Sequence, residues 1–323
     1  MRQPFCIVPA TSPARRQRRN VAFIPIWLLV LLLSLALITP AVATENASSV
    51  YPVGAETVLP GVAPPPGASM LSVFTNGYES NVLAGANGRS MVPGFHLSVA
   101  AVAIKFTHNW GVRVFGGMLI SNVGIPFLHE HLDSPFGKGF KTGFSNPAIE
   151  PLAVAYRRGS WNWWYGYDVF TPSFEYQKNA LINIGQHNYA GAPAAAFTYL
   201  NRRTGTEISS RGQYIVNGEN KATHYRSGNE LVWEYDAMQN FTKRAAVGIN
   251  GYYYQQTTED LQYGVMAGSG NRGRDLAIGP EFRYSAGKLL LIAKYQRDTL
   301  VHNKTIGNSF WLELGVPIGR PRE

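Results

Sequence analysis

The chain has 323 residues, enough for one large domain or two. Aromatic residues and glycine are plentiful (17 Tyr, 16 Phe, 7 Trp, 33 Gly), whereas charged residues make up only 15% of the sequence. The formal charge of +9 is concentrated at the N-terminus, because five arginines and no acidic residue lie in positions 1–43, and the rest of the chain carries only +4. No run of like charge remains there, which argues against nucleic acid as a partner.

Residues 1–43 have the pattern of an export signal. Four clustered arginines precede a mostly apolar stretch at 21–38, and the Ala-Val-Ala tripeptide at 41–43 supplies a small-x-small cleavage pattern. An uncleaved membrane anchor is the alternative, because a stretch of this length can just span a bilayer. Pro25 and the tripeptide favour a cleaved signal. The single cysteine, Cys6, lies in this segment, so the exported chain would have no disulfide and no thiolate metal site.

Residues 44–67 are rich in proline and glycine and predict an extended lead-in, since proline cannot donate to a strand ladder. A barrel domain at 68–318 and a short tail at 319–323 follow. Residues 178–189 are the one helix candidate, with scattered Asn and Gly residues that count against it.

Twelve candidate strands follow the lead-in, joined by connections that alternate between short and long. The strands are predicted at 68–77, 94–107, 111–122, 149–157, 161–171, 195–203, 207–217, 228–238, 244–254, 274–285, 289–297 and 309–317. Tight turns are predicted at 108–110, 158–160, 204–206, 239–243 and 286–288, and the longest connection at 123–148. Short periplasmic turns and long extracellular loops are typical of a transmembrane β-barrel. The alternation of short and long connections therefore predicts an all-β, antiparallel barrel of about twelve strands with both termini on the periplasmic side.

Several strands alternate between apolar and polar residues with a period of two. In 229–236, three apolar or aromatic residues alternate with three acids: Leu231, Trp233 and Tyr235 against Glu230, Glu234 and Asp236. In a membrane barrel, the apolar side faces lipid and the polar side faces the lumen. Aromatic residues expected at the lipid interfaces are Trp110, Trp161, Trp163, Tyr165, Tyr253, Tyr284, Tyr295 and Phe310. Those expected inside are Trp164, Tyr252, Tyr254 and Trp311.

Charged residues of both signs fall on the predicted inner face. They are Lys105, Arg113, Arg157, Arg244, Arg283 and Lys294, together with Asp168, Glu230, Glu234, Asp236, Glu281 and Glu313. An ion-selective lumen would be lined mainly by one sign. Opposite charges that brace the interior are therefore the leading interpretation, and a role in a constriction is the alternative.

A second group of candidate residues lies in the long connection between 172 and 194. Asn179, Asn183, Gln186, His187, Asn188 and Tyr189 could hydrogen-bond a small polar group or form a constriction. Ordinary loop capping by asparagine is the alternative.

Metal binding and catalysis find little support in the sequence. His129 and His131 would share one face of a strand around Glu130, but spacing fixes no third ligand, so a solvated loop cluster is the better interpretation. No Gly-x-Ser-x-Gly elbow occurs, and the histidines are scattered. We therefore expect no metal, no cofactor and no enzymatic activity.

Several stretches resemble the outer-membrane family named after the meta-pathway of phenol degradation. They are the lead-in around Gly54, Glu56 and 64–67, then 181–200, 217–230, 248–258, 270–282 and the end at 307–318. The resemblance covers nearly all of the mature chain in the same order. It implies an outer-membrane barrel for small hydrophobic or aromatic compounds.

The leading hypothesis is thus a monomeric channel in the cell outer membrane for passive uptake of such compounds. Its expected partners are outer-membrane lipid, the solute and the outer-membrane assembly machinery. The alternatives are a barrel enzyme that acts on lipid or ester substrates, and a structural or adhesive barrel without an open pore.

Overall fold

The computed structural model describes residues 48–268 and 271–319. The predicted export signal at 1–43 and most of the tail lie outside these residues. The described chain is built from β-strands and irregular segments, without a helix, so the candidate helix at 178–189 is wrong. In this part of the chain no helix has the length and apolar character needed to span a membrane.

Sixteen strands are present in the described residues. They are β1 (Ser69–Leu83), β2 (His96–Val114), β3 (Gly117–Ser134), β4 (Gly137–Phe144), β5 (Ala148–Arg158), β6 (Trp161–Phe170), β7 (Ala190–Asn201), β8 (Thr206–Asn217), β9 (Tyr225–Arg226), β10 (Glu230–Asn240), β11 (Ala245–Gln256), β12 (Leu261–Gln262), β13 (Val265–Met266), β14 (Arg274–Ala286), β15 (Leu289–Asp298) and β16 (Thr305–Ile318).

Twelve of these strands close into an antiparallel barrel. Neighbours in the chain pair with each other, and β1 pairs both with β2 and with β16, where Ser69 lies opposite Ile318. Closure pairs the backbone groups of the first and last strands, so the wall has no open edge. The two-residue strands β9, β12 and β13 form a separate small sheet.

The barrel has one end with short turns and one with long loops. The short-turn end comprises residues 115–116, 159–160, 202–205, 241–244 and 287–288. The long-loop end comprises the remaining connections, including 171–189 and 218–229. All twelve predicted strands are present, and the predicted asymmetry between the ends is confirmed.

Two predicted connections are wrong. The predicted turn at 108–110 lies inside β2, and the chain reverses at 115–116 instead. The polar and glycine residues there make a bulge: the pairing of β2 with β3 shifts register between Asn109 and Arg113, and the Gly111 N–H donates to Asn109 Oδ1. The predicted loop at 123–148 is mostly regular, because β3 continues to Ser134 and pairs there with β4.

Side chains of the wall alternate between lipid and lumen as the sequence predicts. Trp233 is 51% exposed on the outer surface, whereas Glu234 beside it is fully buried. Trp110, Trp161, Tyr165, Tyr295 and Phe310 are also exposed, while Trp164, Tyr252, Tyr254 and Trp311 are buried. An apolar outer band with a polar interior is the arrangement that a bilayer requires.

The lipid-facing surface yields a test. Ile249 is 52% exposed near the middle of β11, so Ile249→Arg would place a cation in the hydrocarbon and should lower the free energy of unfolding by ~2–4 kcal/mol. Phe241→Arg, in the short turn 241–244, is the control and should cost only ~0–1 kcal/mol. Equal costs in reversible urea unfolding from vesicles would contradict the proposed depth of these residues.

Candidate functional site

Residues 48–67, which we call the N-terminal segment, lie inside the barrel. Near the long-loop end, Gln186 Nε2 donates to the Ser48 carbonyl at 2.6 Å. Near the short-turn end, Asn109 Nδ2 donates to the Pro64 carbonyl at 2.7 Å. The segment forms no strand, in keeping with its prolines, and it passes through the lumen from one end towards the other.

Arg211 on β8 is the charged centre of the lumen and is only 3% exposed. Its Nη2 donates to Asp168 Oδ2 of β6 at 2.7 Å. Two further carboxylates approach it, Glu56 Oε2 at 3.6 Å and Glu234 Oε2 at 3.9 Å. The guanidinium also lies over the Tyr51 ring, 4.6 Å from its centroid. Arg211 therefore joins three wall strands to the N-terminal segment.

Glu234 of β10 binds the same segment through hydrogen bonds. Its carboxylate accepts from the Tyr51 hydroxyl at 2.6 Å, from the Gly54 N–H at 2.6 Å and from the Glu56 N–H at 3.3 Å. A buried carboxylate needs such donors because it has lost its water. The segment supplies them, since its irregular backbone leaves N–H groups free of any ladder.

Two lysines fix the segment from other sides of the wall. Lys105 Nζ donates to both carboxylate oxygens of Glu56 at 2.7 Å. Lys294 Nζ donates to the Ala55 carbonyl at 2.6 Å and to Thr57 Oγ1 at 3.0 Å, and it is 2.5 Å from Glu313 Oε1. The segment is thus held by groups from β2, β8, β10 and β15, and Glu313 of β16 pairs with one of them, Lys294.

Closer to the short-turn end, Glu207 of β8 is the wall carboxylate that binds the N-terminal segment. It forms an ion pair with Arg283 of β14 and accepts from the Leu59 N–H at 3.3 Å. The Gly61 N–H donates to Thr198 Oγ1 at 3.0 Å. A Cβ at Gly61 would collide with the Thr198 backbone nitrogen, so only glycine permits this close approach.

Nine of the twelve charged residues predicted to face inward are buried or half-buried inside the barrel. These are Lys105, Asp168, Glu230, Glu234, Asp236, Glu281, Arg283, Lys294 and Glu313. The other three, Arg113, Arg157 and Arg244, are exposed at the short-turn end. That placement corrects the prediction: Arg244 lies in a turn, and the other two lie so near their strand ends that water reaches them.

Residues that the sequence reasoning missed contribute the central contacts. Arg211 and Glu207 share the inner face of β8, and the burial of alternate residues along this strand shows a period of two. In the sequence, Glu207, Ser209, Arg211 and Gln213 recur every second residue, and this spacing is the signal that identifies the inner face of β8. Tyr51, Glu56 and the backbone donors of the N-terminal segment had no comparable signal, because an irregular segment has no periodicity.

The loop residues predicted at 179–189 divide into two groups. Asn183, Gln186 and Asn188 are buried, whereas Asn179, His187 and Tyr189 are exposed: Tyr189 is 67% accessible. Asn183 bonds the backbone of Gln177 in both directions, which is loop capping. Gln186 donates a hydrogen bond to the Ser48 carbonyl of the N-terminal segment.

The cluster at 129–131 lies on β3 near β4. His129 Nδ1 is 2.6 Å from Thr142 Oγ1, and the ring of His131 packs near that of His96. Within the described ranges, no group of three His, Cys, Asp or Glu side chains could hold a metal ion.

A cavity of about 300 Å³ remains between the N-terminal segment and the wall formed by β1 to β3. Its apolar lining includes Val50, Val53, Phe74, Ala101, Ala103 and Phe170. Polar side chains also reach it, among them Asn76, Tyr78, Lys105 and Asn122. A dry cavity of about 150 Å³ accommodates benzene, so this space is sufficient for a one-ring aromatic molecule.

A family match and one solved structure of similar fold agree with this architecture. Residues 80–314 match the family described as "Putative MetA-pathway of phenol degradation". An outer membrane channel from Pseudomonas putida F1 is similar in structure, with a TM-score of 0.70 and 15% identity, over 79% of this chain and 97% of that chain. A FadL homologue from Pseudomonas aeruginosa has a TM-score of 0.35 and 9% identity, over 77% and 89% of the two chains. Among curated proteins, none shows significant sequence similarity.

The charge cluster around Arg211 can be tested by chemical access. Removal of one partner from a buried charge network costs ~3–5 kcal/mol, because the remaining charges stay desolvated. Arg211→Met should therefore loosen the N-terminal segment. A cysteine placed at the buried Thr57, in a chain with Cys6 replaced by serine, should react with a maleimide at least about tenfold faster.

Lys138→Met is the matched control for that experiment. It removes an ion pair with Asp133 whose lysine is 72% exposed, and such pairs contribute ~0–1 kcal/mol. The labelling rate at position 57 should not change. An unchanged rate in Arg211→Met as well would show that Arg211 does not hold the segment.

Proposed function

Because the chain belongs to the outer-membrane β-barrel family of the meta-pathway of phenol degradation, we propose that it is a channel for passive uptake of small hydrophobic or aromatic compounds. The cavity of about 300 Å³ beside the N-terminal segment is the observation that carries the proposal. Passage needs no bond chemistry: apolar contacts hold the solute weakly, and the polar groups nearby can exchange hydrogen bonds with it. The channel described from Pseudomonas putida F1, which shares the fold, supports the same function.

The N-terminal segment sets the size of solute that the channel admits. Open porins hold a wide aqueous lumen, whereas here Tyr51 and Glu56 of the N-terminal segment lie inside the barrel, bound to Glu234 and Lys105 of the wall. A single aromatic ring fits the remaining space, while a larger solute requires displacement of the segment. We infer that the loop 171–189, through Gln186 and Ser48, positions the outer end of this segment.

One chain supplies the whole wall, and we propose that it acts as a monomer. Closure between β1 and β16 leaves no strand edge in the twelve-stranded wall for a second copy. Export through a cleaved signal at 1–43 and insertion by the assembly machinery belong to the same proposal.

The filled lumen also favours a second candidate, a structural barrel that stays closed. It differs from the channel in one measurable respect, since it would give no solute flux. An enzymatic role has less support. Ser69 Oγ and His108 Nδ1 are 2.8 Å apart, but within the described residues no carboxylate contacts His108 to orient it as a base.

The channel hypothesis predicts the effect of filling the cavity. Ala103 of β2 lines the cavity, so Ala103→Phe should reduce the uptake of a radiolabelled one-ring aromatic alcohol several-fold. The initial uptake rate would be measured in cells whose outer membrane carries the protein, with cells lacking it as background.

Ala100→Phe provides the matched control, because Ala100 is exposed three residues earlier on the same strand and does not line the cavity. Its uptake rate should equal that of the unsubstituted protein. Equal rates in all three proteins, above background, would exclude the cavity as the route. Rates at background in all three would favour the closed barrel.

A further inference from the structure

Each of the five short turns of the barrel has a basic side chain in it or within two residues of it. The eight cations in or beside these turns, which we call the basic ring, are Arg113, Arg157, Arg158, Arg202, Arg203, Lys243, Arg244 and Lys288. No acidic residue occurs in the corresponding stretches 108–117, 156–161, 199–206, 239–246 and 284–291. The nearest carboxylates, such as Glu207, point into the barrel and are buried.

The members of the basic ring are all exposed, and within the described residues none forms an ion pair. The long-loop end differs, because two of its exposed cations form ion pairs: Lys138 pairs with Asp133 and Arg272 with Glu259. The short-turn end is therefore a positively charged rim without internal compensation. Such a rim fits an anionic partner outside the chain.

The cations are spread around the perimeter of the barrel. They occupy all five hairpin positions at this end, and the ends of β1 and β16 occupy the sixth. A soluble partner docked on one side would contact only part of such a ring. A partner that surrounds the barrel would contact all of it.

Exposed apolar side chains accompany the cations. Phe115 is 86% exposed next to Arg113, Trp161 is 51% exposed after Arg158, and Phe241 is 60% exposed before Lys243. Aromatic residues at this level enter the edge of the hydrocarbon, while long basic side chains extend to the headgroups. This pairing fits a lipid monolayer, since a water-soluble acidic partner would leave the apolar groups exposed.

We propose that the basic ring binds the headgroup phosphates of anionic phospholipids in the periplasmic leaflet of the outer membrane. Each turn contributes one or two cations to a phosphate at the edge of the bilayer, and the adjacent apolar side chain anchors that turn in the acyl region. The barrel thereby recruits a shell of anionic lipid at its periplasmic end. This binding is independent of solute passage.

Quenching of tryptophan fluorescence by brominated lipid tests the proposal directly, because Trp110 and Trp161 lie at this end. The protein is reconstituted in phosphatidylcholine vesicles that contain brominated phosphatidylglycerol, or brominated phosphatidylcholine for comparison. We expect phosphatidylglycerol to be preferred about fivefold at the protein surface, and the preference to weaken in high salt.

Two variants that each remove six positive charges locate the effect. One changes Arg157, Arg158, Arg202, Arg203, Lys243 and Arg244 to glutamine, and it should lose the preference. The control makes the same change to glutamine at six cations that are exposed at the long-loop end. They are Arg89, Lys138, Lys178, Lys221, Arg226 and Arg272. This variant should keep the preference for phosphatidylglycerol. Heat-modifiable migration in gels verifies that each barrel is folded.

Equal quenching by the two lipids around the unsubstituted protein would overturn the proposal and favour an acidic protein as the partner of the ring. An equal loss of preference in both variants would also overturn it, because net charge rather than the ring would then attract the lipid.

Discussion

The buried guanidinium of Arg211 is the constraint on which the interior of this barrel depends. It lies among Asp168, Glu56 and Glu234, which come from two wall strands and from the N-terminal segment. A charge so far from water is tolerable only when it is fully surrounded by partners. Because the N-terminal segment supplies one carboxylate and the aromatic ring of Tyr51, its departure would remove two partners of Arg211 and the carboxylate that pairs with Lys105. The N-terminal segment therefore stabilises buried charges of the wall, and those charges in turn hold the segment in the lumen.

The same logic explains how a barrel with a polar interior can hold an irregular segment inside it. A bilayer demands an apolar outer surface, and the period of two along each strand then places polar residues inside. Twelve strands enclose more space than wall side chains alone fill. Irregular backbone occupies it well, because its free N–H and C=O groups satisfy carboxylates, lysines and amides from several strands. A cavity of about 300 Å³ lies between this segment and the wall, and in the proposed channel its size would limit the solute.

Sequence patterning predicted the wall well and the contents of the lumen poorly. Strands such as β10 were predictable because Trp233 and Glu234 face opposite environments. The turn at 108–110 was misplaced because Asn109 and Gly111 suit a bulge as well as a turn. Beyond residue 126, β3 and β4 lack a clean alternation of apolar and polar residues, so the sequence predicts a loop where the structure has a strand pair. The N-terminal segment has no periodicity at all. Its position depends on Arg211, Lys294 and Glu234, which are distant in sequence, and no local pattern encodes such contacts.

Amide hydrogen exchange in the lipid-embedded protein tests the central claim, that the N-terminal segment is a stable part of the lumen. The Gly54 N–H donates to Glu234 at 2.6 Å and the Gly61 N–H to Thr198 at 3.0 Å, although neither lies in a strand. We expect both amides to exchange as slowly as those of the surrounding strands. Exchange at the rate of an open loop would contradict it, because the segment would then spend its time outside the barrel.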